Sequence, residues 1–462
     1  MPDSTVAFPT GFYIASMLLV GGLFYAWKSR ITGVGIPMGA VLGTVALWYF
    51  YDAFYNDYQG YISRIGGEYL EAAWSQVALF LGSFILFVPL VHRAFNKKIL
   101  RNRSEFWVLM QRGGVDNPEF QRRLDIATQL ILGVWLILML IGLIRTDFDF
   151  LGLFAPYLSG KANPWARGRL GSGLDSLISF ASYLQIMLAA AFGIVAGVAK
   201  NPRTRMIGIV VTMLTLPYYL FDRTRNTMLA TLLPGLLAWV FIRLRFNMFF
   251  KLVVLLGCFL VLEGWLKFVI QTRSTGNISQ TFSQIGIGGV ADMVESSEGK
   301  HEGLNMLMEL AWANSFIDRG TYIVSNGGRY FAELVNPIPR AIWPDKPMIG
   351  IDYALARGQA FGDASGSGAG VGATISTGMI GQGVVNFGTF FGVLAAALIM
   401  AFWVAILARQ DLMGEKMGRM LLFFIGCVLT FNLGRDITLI TLYPFLFGYI
   451  MITYWTRTHR EQ

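Results

Sequence analysis

Apolar runs of about 20 residues, the length that crosses a hydrocarbon core as helix, recur along this chain with basic loops between them. Few soluble folds tolerate that pattern. With 55% hydrophobic and only 14% charged residues, the chain has too little charge to clothe a water-soluble protein of 462 residues. Runs of helical length, instead of short alternating strands, exclude an outer-membrane barrel. The expected fold class is therefore all-α: a polytopic transmembrane helical bundle of about eleven spans.

The expected spans run Phe8 to Trp27, Ile31 to Tyr51, Ala72 to Val91, Ile126 to Ile144, Leu174 to Val198 and Met206 to Phe221. They continue with Thr227 to Phe241, Leu252 to Ile270, Val384 to Leu407, Met420 to Leu433 and Ile437 to Tyr454. Three regions follow: residues 1–270 with the first eight spans, a large loop over 271–383, and residues 384–462 with the last three spans and a short tail. Lysine and arginine crowd one set of loops, around Lys28, Arg93 to Arg123, Lys200 to Arg205, Arg243 to Lys251 and Arg409 to Arg419. By the positive-inside bias that set is cytoplasmic, which puts the N-terminus outside, the C-terminus inside and the large loop outside. The first residues, Met1-Pro-Asp-Ser-Thr-Val, lack a cationic segment, so no cleaved signal peptide is expected.

The net charge of +9 is accounted for by this loop bias, so no nucleic-acid partner is expected. Cys258 and Cys427 both lie in apolar stretches without metal-ligand spacing and read as buried free thiols. No phosphate-cradling glycine motif with its Lys-Ser/Thr follows a strand, and no cofactor is implied. Chemistry on the outer face, remote from cytoplasmic ATP, calls for a pre-activated, lipid-linked substrate.

In the large loop, Leu304, Leu307, Met308, Ala311 and Trp312 share one helical face, which predicts an amphipathic helix against the membrane surface or the bundle mouth. The second half of the loop is glycine-rich, from Gly362 to Gly388, and its Gly366 to Gly372 run reads as a flexible loop over a binding site, with close backbone approach.

The residues that bear on chemistry are the outer-face arginines. Arg223 and Arg225 stand in a short connection, Phe221 to Asn226, and Arg435 in Gly434-Arg-Asp436 after a short span. Arg145, Arg273, Arg319, Arg329 and Arg340 are further candidates. A guanidinium grips phosphate through a rigid fork, and charge near a bilayer is costly to leave unpaired, so a polyanionic lipid headgroup suits them. The competing reading is ordinary pairing, with Asp222 and Asp436 adjacent. Glu263 and Lys267 read as an intrahelical pair. Asp147 and Asp149 have the spacing of a cation-binding DxD, too few ligands to commit to a metal, and none is assigned. Candidate general bases in the loop are His301, Glu309, Asp318, Glu333, Asp345, Asp352 and Asp363, among which the sequence does not choose.

The stretch Asn336-Pro-Ile-Pro-Arg340-Ala-Ile-Trp343-Pro-Asp-Lys346-Pro347 resembles a motif of the Wzy-type oligosaccharide repeat-unit polymerases, which build O-antigen and related polysaccharides. The later Gly381-Gln-Gly-Val-Val-Asn386-Phe387-Gly388 resembles the family's following segment, where members often carry Glu in place of Gln382. The resemblance covers the chain from about Arg319 onward. It implies an inner-membrane glycosyltransferase that moves a glycan from undecaprenyl diphosphate onto a new lipid-linked repeat on the periplasmic face. It also implies a GT-C-like bundle by analogy, membrane lipid and a chain-length regulator protein as partners, and a lipid-linked oligosaccharide as substrate. On this reading Arg340, Arg435 and Arg223 are catalytic, and Arg225, Arg319, Arg329, Lys346, Trp343 and Arg145 bind substrate. An O-antigen ligase and a flippase of lipid-linked oligosaccharide are the alternatives.

Overall fold

The computed structural model describes residues 8–111, 116–156, 164–165, 173–221, 225–244, 246–271, 305–335, 338, 342–347, 351–358, 360–361, 370–371, 376–416, 418–437 and 439–458. Among them regular structure is helical, apart from a two-residue antiparallel pair that matches Ala360 with Val371 and Phe361 with Gly370.

Five helices are long and apolar enough to cross a membrane: Thr10–Lys28, Gly67–Phe95, Pro118–Arg145, Pro202–Phe221 and Phe391–Leu412. Each covers much or all of an expected span and often outruns it, because amphipathic turns extend the helix beyond its apolar stretch. Shorter apolar helical stretches lie at Leu184–Val198, Thr227–Arg243, Phe249–Cys258 and Phe445–Tyr454. The chain divides into two compact units, residues 1–104 with 301–412 and 429–442, and residues 105–300 with 413–428 and 443–462.

In the first unit, Phe391–Leu412 is the central helix, 61% buried over its apolar window against 28% for Thr10–Lys28. It packs on Gly67–Phe95, which also carries Thr10–Lys28 and the loop helix Met306–Asp318. Small residues make these crossings close. A Cβ on Gly383 would lie 2.1 Å from the carbonyl oxygen of Gly392, and one on Gly392 would lie 2.2 Å from that of Gly383. No side chain fits at either position, so helix Gly378–Phe387 meets Phe391–Leu412 backbone to backbone.

The expected span Val384 to Leu407 is two helices, separated at Gly388, whose φ of 82° lies in the left-handed region that glycine adopts without a Cβ penalty. Apolar residues on both sides hide this break from a hydropathy reading. The expected span Ile31 to Tyr51 begins late, after a turn at Arg30–Thr32, and its helix continues through a π segment, Ala46–Phe50, to Tyr55. Arg435, expected in a tight turn, closes the last turn of helix Arg419–Arg435; the chain leaves helix at Asp436 and Ile437.

The second unit packs helix Gly173–Val198 on Arg225–Ala238 and Pro202–Phe221. Gly193 and Gly235 form its close crossing, since a Cβ on Gly235 would stand 2.7 Å from the Gly193 carbonyl carbon. Asp125 accepts from Thr204 Oγ1 at 2.5 Å and Asn201 Nδ2 at 3.1 Å, tying Pro118–Arg145 to the start of Pro202–Phe221.

Candidate functional site

The polar residues that meet in the first unit come largely from the large loop, which two buried ties and one internal ion pair hold in place. Helix Met306–Asp318 lacks a side-chain cap of its own. Asp52 supplies one: its Oδ2 accepts from Leu307 N at 2.9 Å and Met308 N at 3.3 Å, a carboxylate on a helix N-terminus. Its Oδ1 accepts from Asn56 Nδ2 at 2.6 Å and Tyr61 Oη at 3.0 Å. Gln76 and Asn314 exchange side-chain hydrogen bonds of 2.8 and 3.0 Å, both residues buried. Arg357 grips Glu309 with two bonds, Nη2 to Oε1 at 2.8 Å and Nε to Oε2 at 3.2 Å, and Tyr353 Oη donates to Oε2 at 3.0 Å. The helix is thus buried on more than one face, at Leu307, Leu310, Ala311, Ala313 and Asn314, and sits inside the unit instead of lying on it with one free face.

From this base the chain turns at Gly320 and again at Asn326-Gly327, all with positive φ, into helix Gly328–Val335. Asn386 aims that helix. Its Oδ1 accepts from Tyr330 N and Ser325 Oγ, both at 3.2 Å, while its Nδ2 donates to Gln382 O at 2.7 Å. The result is a buried Arg329, 8% exposed. Its Nε stands 3.7 Å from Asp352 Oδ1, and Tyr322 Oη donates to Asp352 Oδ2 at 2.6 Å. Burial pulls the Arg329 pKa down, but Asp352, Tyr322 and Asp436 outweigh it and the net shift is upward, so the guanidinium stays charged. Its Nε and Nη1 make no hydrogen bond with the described residues, and neither does the buried Tyr330 hydroxyl. Burial raises the Tyr322 and Tyr330 phenols, which stay protonated donors.

Arg435 and Asp436 complete the group. Arg435 Nε donates to Ser376 Oγ at 2.7 Å. The Asp436 carboxyl bonds Ser376 and the backbone N–H of Thr377 and interacts with both Arg329 and Arg435. Gln382 secures the neighbouring peptide: its Nε2 donates to Ile437 O at 3.1 Å and its Oε1 accepts from Ile437 N at 2.7 Å. An ionised glutamate could accept there but not donate, which is a physical reason for Gln where the resembling family often has Glu. Asp436 therefore faces two guanidinium groups with its main chain fixed. Such a group suits an anion with several oxygens.

Of the candidate residues, Arg329 and Arg435 come together here. Of the motif residues, Trp343 packs on Phe331 of the Arg329 helix with ring centroids 6.3 Å apart, and Lys346 Nζ donates to Ile338 O at 2.8 Å. Lys346 thus closes its own turn. Arg319, exposed at the end of helix Met306–Asp318, lies 5.7 Å over the Tyr69 ring. Arg145, in the second unit, donates from Nη1 to the Pro164 carbonyl at a helix C-terminus. Arg223, Arg273, Arg340, His301 and Asp363 lie outside the described residues, as do the side chains of Arg225, Glu263 and Lys267. Asp149 caps helix Phe150–Phe154 through Leu151 N, and Asp147 sits at a φ of 51°. Among the described residues no group of three or more His, Cys, Asp or Glu could hold a metal ion.

Sequence reasoning missed Asp52, Gln76 and Asp436 as working parts. A polar residue inside or at the end of an apolar span was the available signal for each. No protein-family model matches this chain, and neither a curated protein nor a solved structure matches it.

Proposed function

We propose that this protein is a Wzy-type polymerase: an eleven-span inner-membrane glycosyltransferase, N-terminus outside and C-terminus inside, that joins undecaprenyl-diphosphate-linked repeats on the periplasmic face. The observation that carries the reading is the pairing of a buried, incompletely hydrogen-bonded Arg329 with Arg435 around Asp436. Buried charge in a membrane protein is functional by default, and unused guanidinium N–H groups fit phosphate oxygens. The motif residues Trp343 and Lys346 lie beside the helix that bears Arg329.

In the proposed reaction an acceptor hydroxyl attacks the anomeric carbon of the donor glycan and the lipid diphosphate departs. Arg329 and Arg435 stabilise the charge that grows on the diphosphate, a preorganised electrostatic effect strongest where water is excluded. Arg340 is a further diphosphate contact on this reading. The ligase differs only in its acceptor; a flippase joins no repeats, and disabling it would leave single repeats on the inner leaflet.

The test is complementation of a host that lacks its own polymerase and makes a compatible repeat. Wild type restores a ladder of glycan lengths. Arg435→Ala, expressed to the same level, leaves lipid-linked single repeats on the outer leaflet. Single repeats on the inner leaflet would replace the polymerase by the flippase.

A further inference from the structure

We infer that Asp436 accepts the proton of the attacking hydroxyl, an assignment that rests on the polymerase reading and names the base it needs. The carboxylates of the described outer loop are committed elsewhere. Glu309 is held by Arg357 and Tyr353, and Asp318 accepts from Tyr69 Oη at 2.8 Å. Asp352 is held by Tyr322 and stands beside Arg329. Glu333 is 4% exposed, closed off from a substrate hydroxyl. Asp345 is exposed on the Trp343–Lys346 turn, with none of the described residues orienting it.

Asp436 differs from all of these. Its carboxyl interacts with both arginines that would hold the diphosphate. Ser376 bridges it to Arg435. The Gln382 amide fixes the following residue through both its N–H and its carbonyl, and Asp436 N donates to Asn432 O at 3.2 Å. A general base must reach the attacking hydroxyl, and on this reading a carboxylate fixed beside the diphosphate contacts stands at the reacting centre.

The step balances. The acceptor oxygen forms its bond to the anomeric carbon, the bond from that carbon to the diphosphate oxygen breaks with its electron pair, and the hydroxyl proton passes to Asp436. Burial raises the Asp436 pKa, which strengthens it as a base, while Arg329 and Arg435 act in the opposite sense. The phenols of Tyr49 and Tyr330 also face it.

The experiment uses the full-length protein in detergent with its organism's own lipid-linked repeats, for wild type, Asp436→Asn and Asp436→Glu. Loss of a positioned general base lowers kcat in Asp436→Asn by about 10²–10⁴-fold with KM within about threefold. Wild-type kcat falls as pH falls through one ionisation that lies above the ordinary carboxylate range, and Asp436→Glu keeps activity with that ionisation displaced. An Asp436→Asn rate within about threefold of wild type overturns the assignment. If Asp436→Asn does not fold, a flat wild-type profile or an undisplaced Asp436→Glu profile overturns it instead. A wild type that extends no repeat overturns the polymerase reading itself, and the assignment falls with it.

Discussion

Replacing Gln382 by glutamate would restore the carboxylate that the family resemblance leads one to expect, yet the geometry predicts damage. The Gln382 amide is 3% exposed and both gives and takes a hydrogen bond with Ile437. In Gln382→Glu the ionised carboxylate keeps the bond from Ile437 N and turns its second oxygen against Ile437 O. The lost bond and the unpaired buried carbonyl together cost about 2–4 kcal/mol. Protonation offers an escape, because the neutral acid donates and accepts as the amide does. Holding a glutamic acid protonated costs about 1.4 kcal/mol for each pH unit above its ordinary value of about 4.3, hence at most ~3.7 kcal/mol at pH 7. The two estimates agree, so the deficit lies in that range at neutral pH. Its sign with pH follows from the burial, which raises the folded-state pKa of this glutamic acid above the unfolded one. Relative stability is then intact below the unfolded value and is lost as pH rises through the folded one. Thermal unfolding followed by tryptophan fluorescence, with Gln382→Glu and wild type in one detergent at pH near 5 and near 8, reads this as a difference between the two proteins. A deficit present near pH 8 and largely gone near pH 5 agrees. Equal deficits at both pH values, or none, would refute the role given to the Ile437 contacts.

Three further outcomes follow from the packing of the first unit. Glu309→Ala leaves Arg357, whose side chain is 18% exposed, without its bidentate partner and costs about 3–5 kcal/mol; replacing both residues by methionine recovers most of the melting temperature. Gln76→Leu strips Asn314 of its reciprocal bonds at about 1–3 kcal/mol, and the double variant with Asn314→Leu is nearer wild type, a pattern a double-mutant cycle reads directly. Gly383→Ala places a Cβ 2.1 Å from the Gly392 carbonyl and lowers folded yield severely, whereas Gly21→Ala, with nothing within 4 Å, leaves it unchanged; size-exclusion profiles in detergent compare the two.

The long apolar helices were legible because hydropathy over a helical length is a local property. Thr10–Lys28, Gly67–Phe95, Pro118–Arg145, Pro202–Phe221 and Phe391–Leu412 each correspond to an apolar run readable without partners. Arg329 and Arg435 were also visible as candidates, since charge beside an apolar run stands out in any sequence. The long-range contacts that hold the surrounding elements were not. Asp52 caps a helix 255 residues away, Gln76 meets Asn314 across 238 residues, and Gln382 holds Ile437 across 55. Such contacts depend on tertiary packing and leave no periodicity in the sequence. Asp436, beside Arg435, reads from sequence alone as its pairing partner; its interaction with Arg329 and its bond to Thr377 appear only once the helices are folded together. The break at Gly388 shows the same limit from the other side, because hydropathy does not register φ.

The central claim is glycosyl transfer with release of a lipid diphosphate, and purified protein reconstituted in vesicles with lipid-linked single repeats tests it most directly. Product length and free undecaprenyl diphosphate are measured together, with Arg435→Ala alongside. Wild type is expected to release one lipid diphosphate for each repeat joined, and a folded Arg435→Ala to yield neither product. Intact single repeats after incubation with wild type, with no diphosphate released, would contradict it.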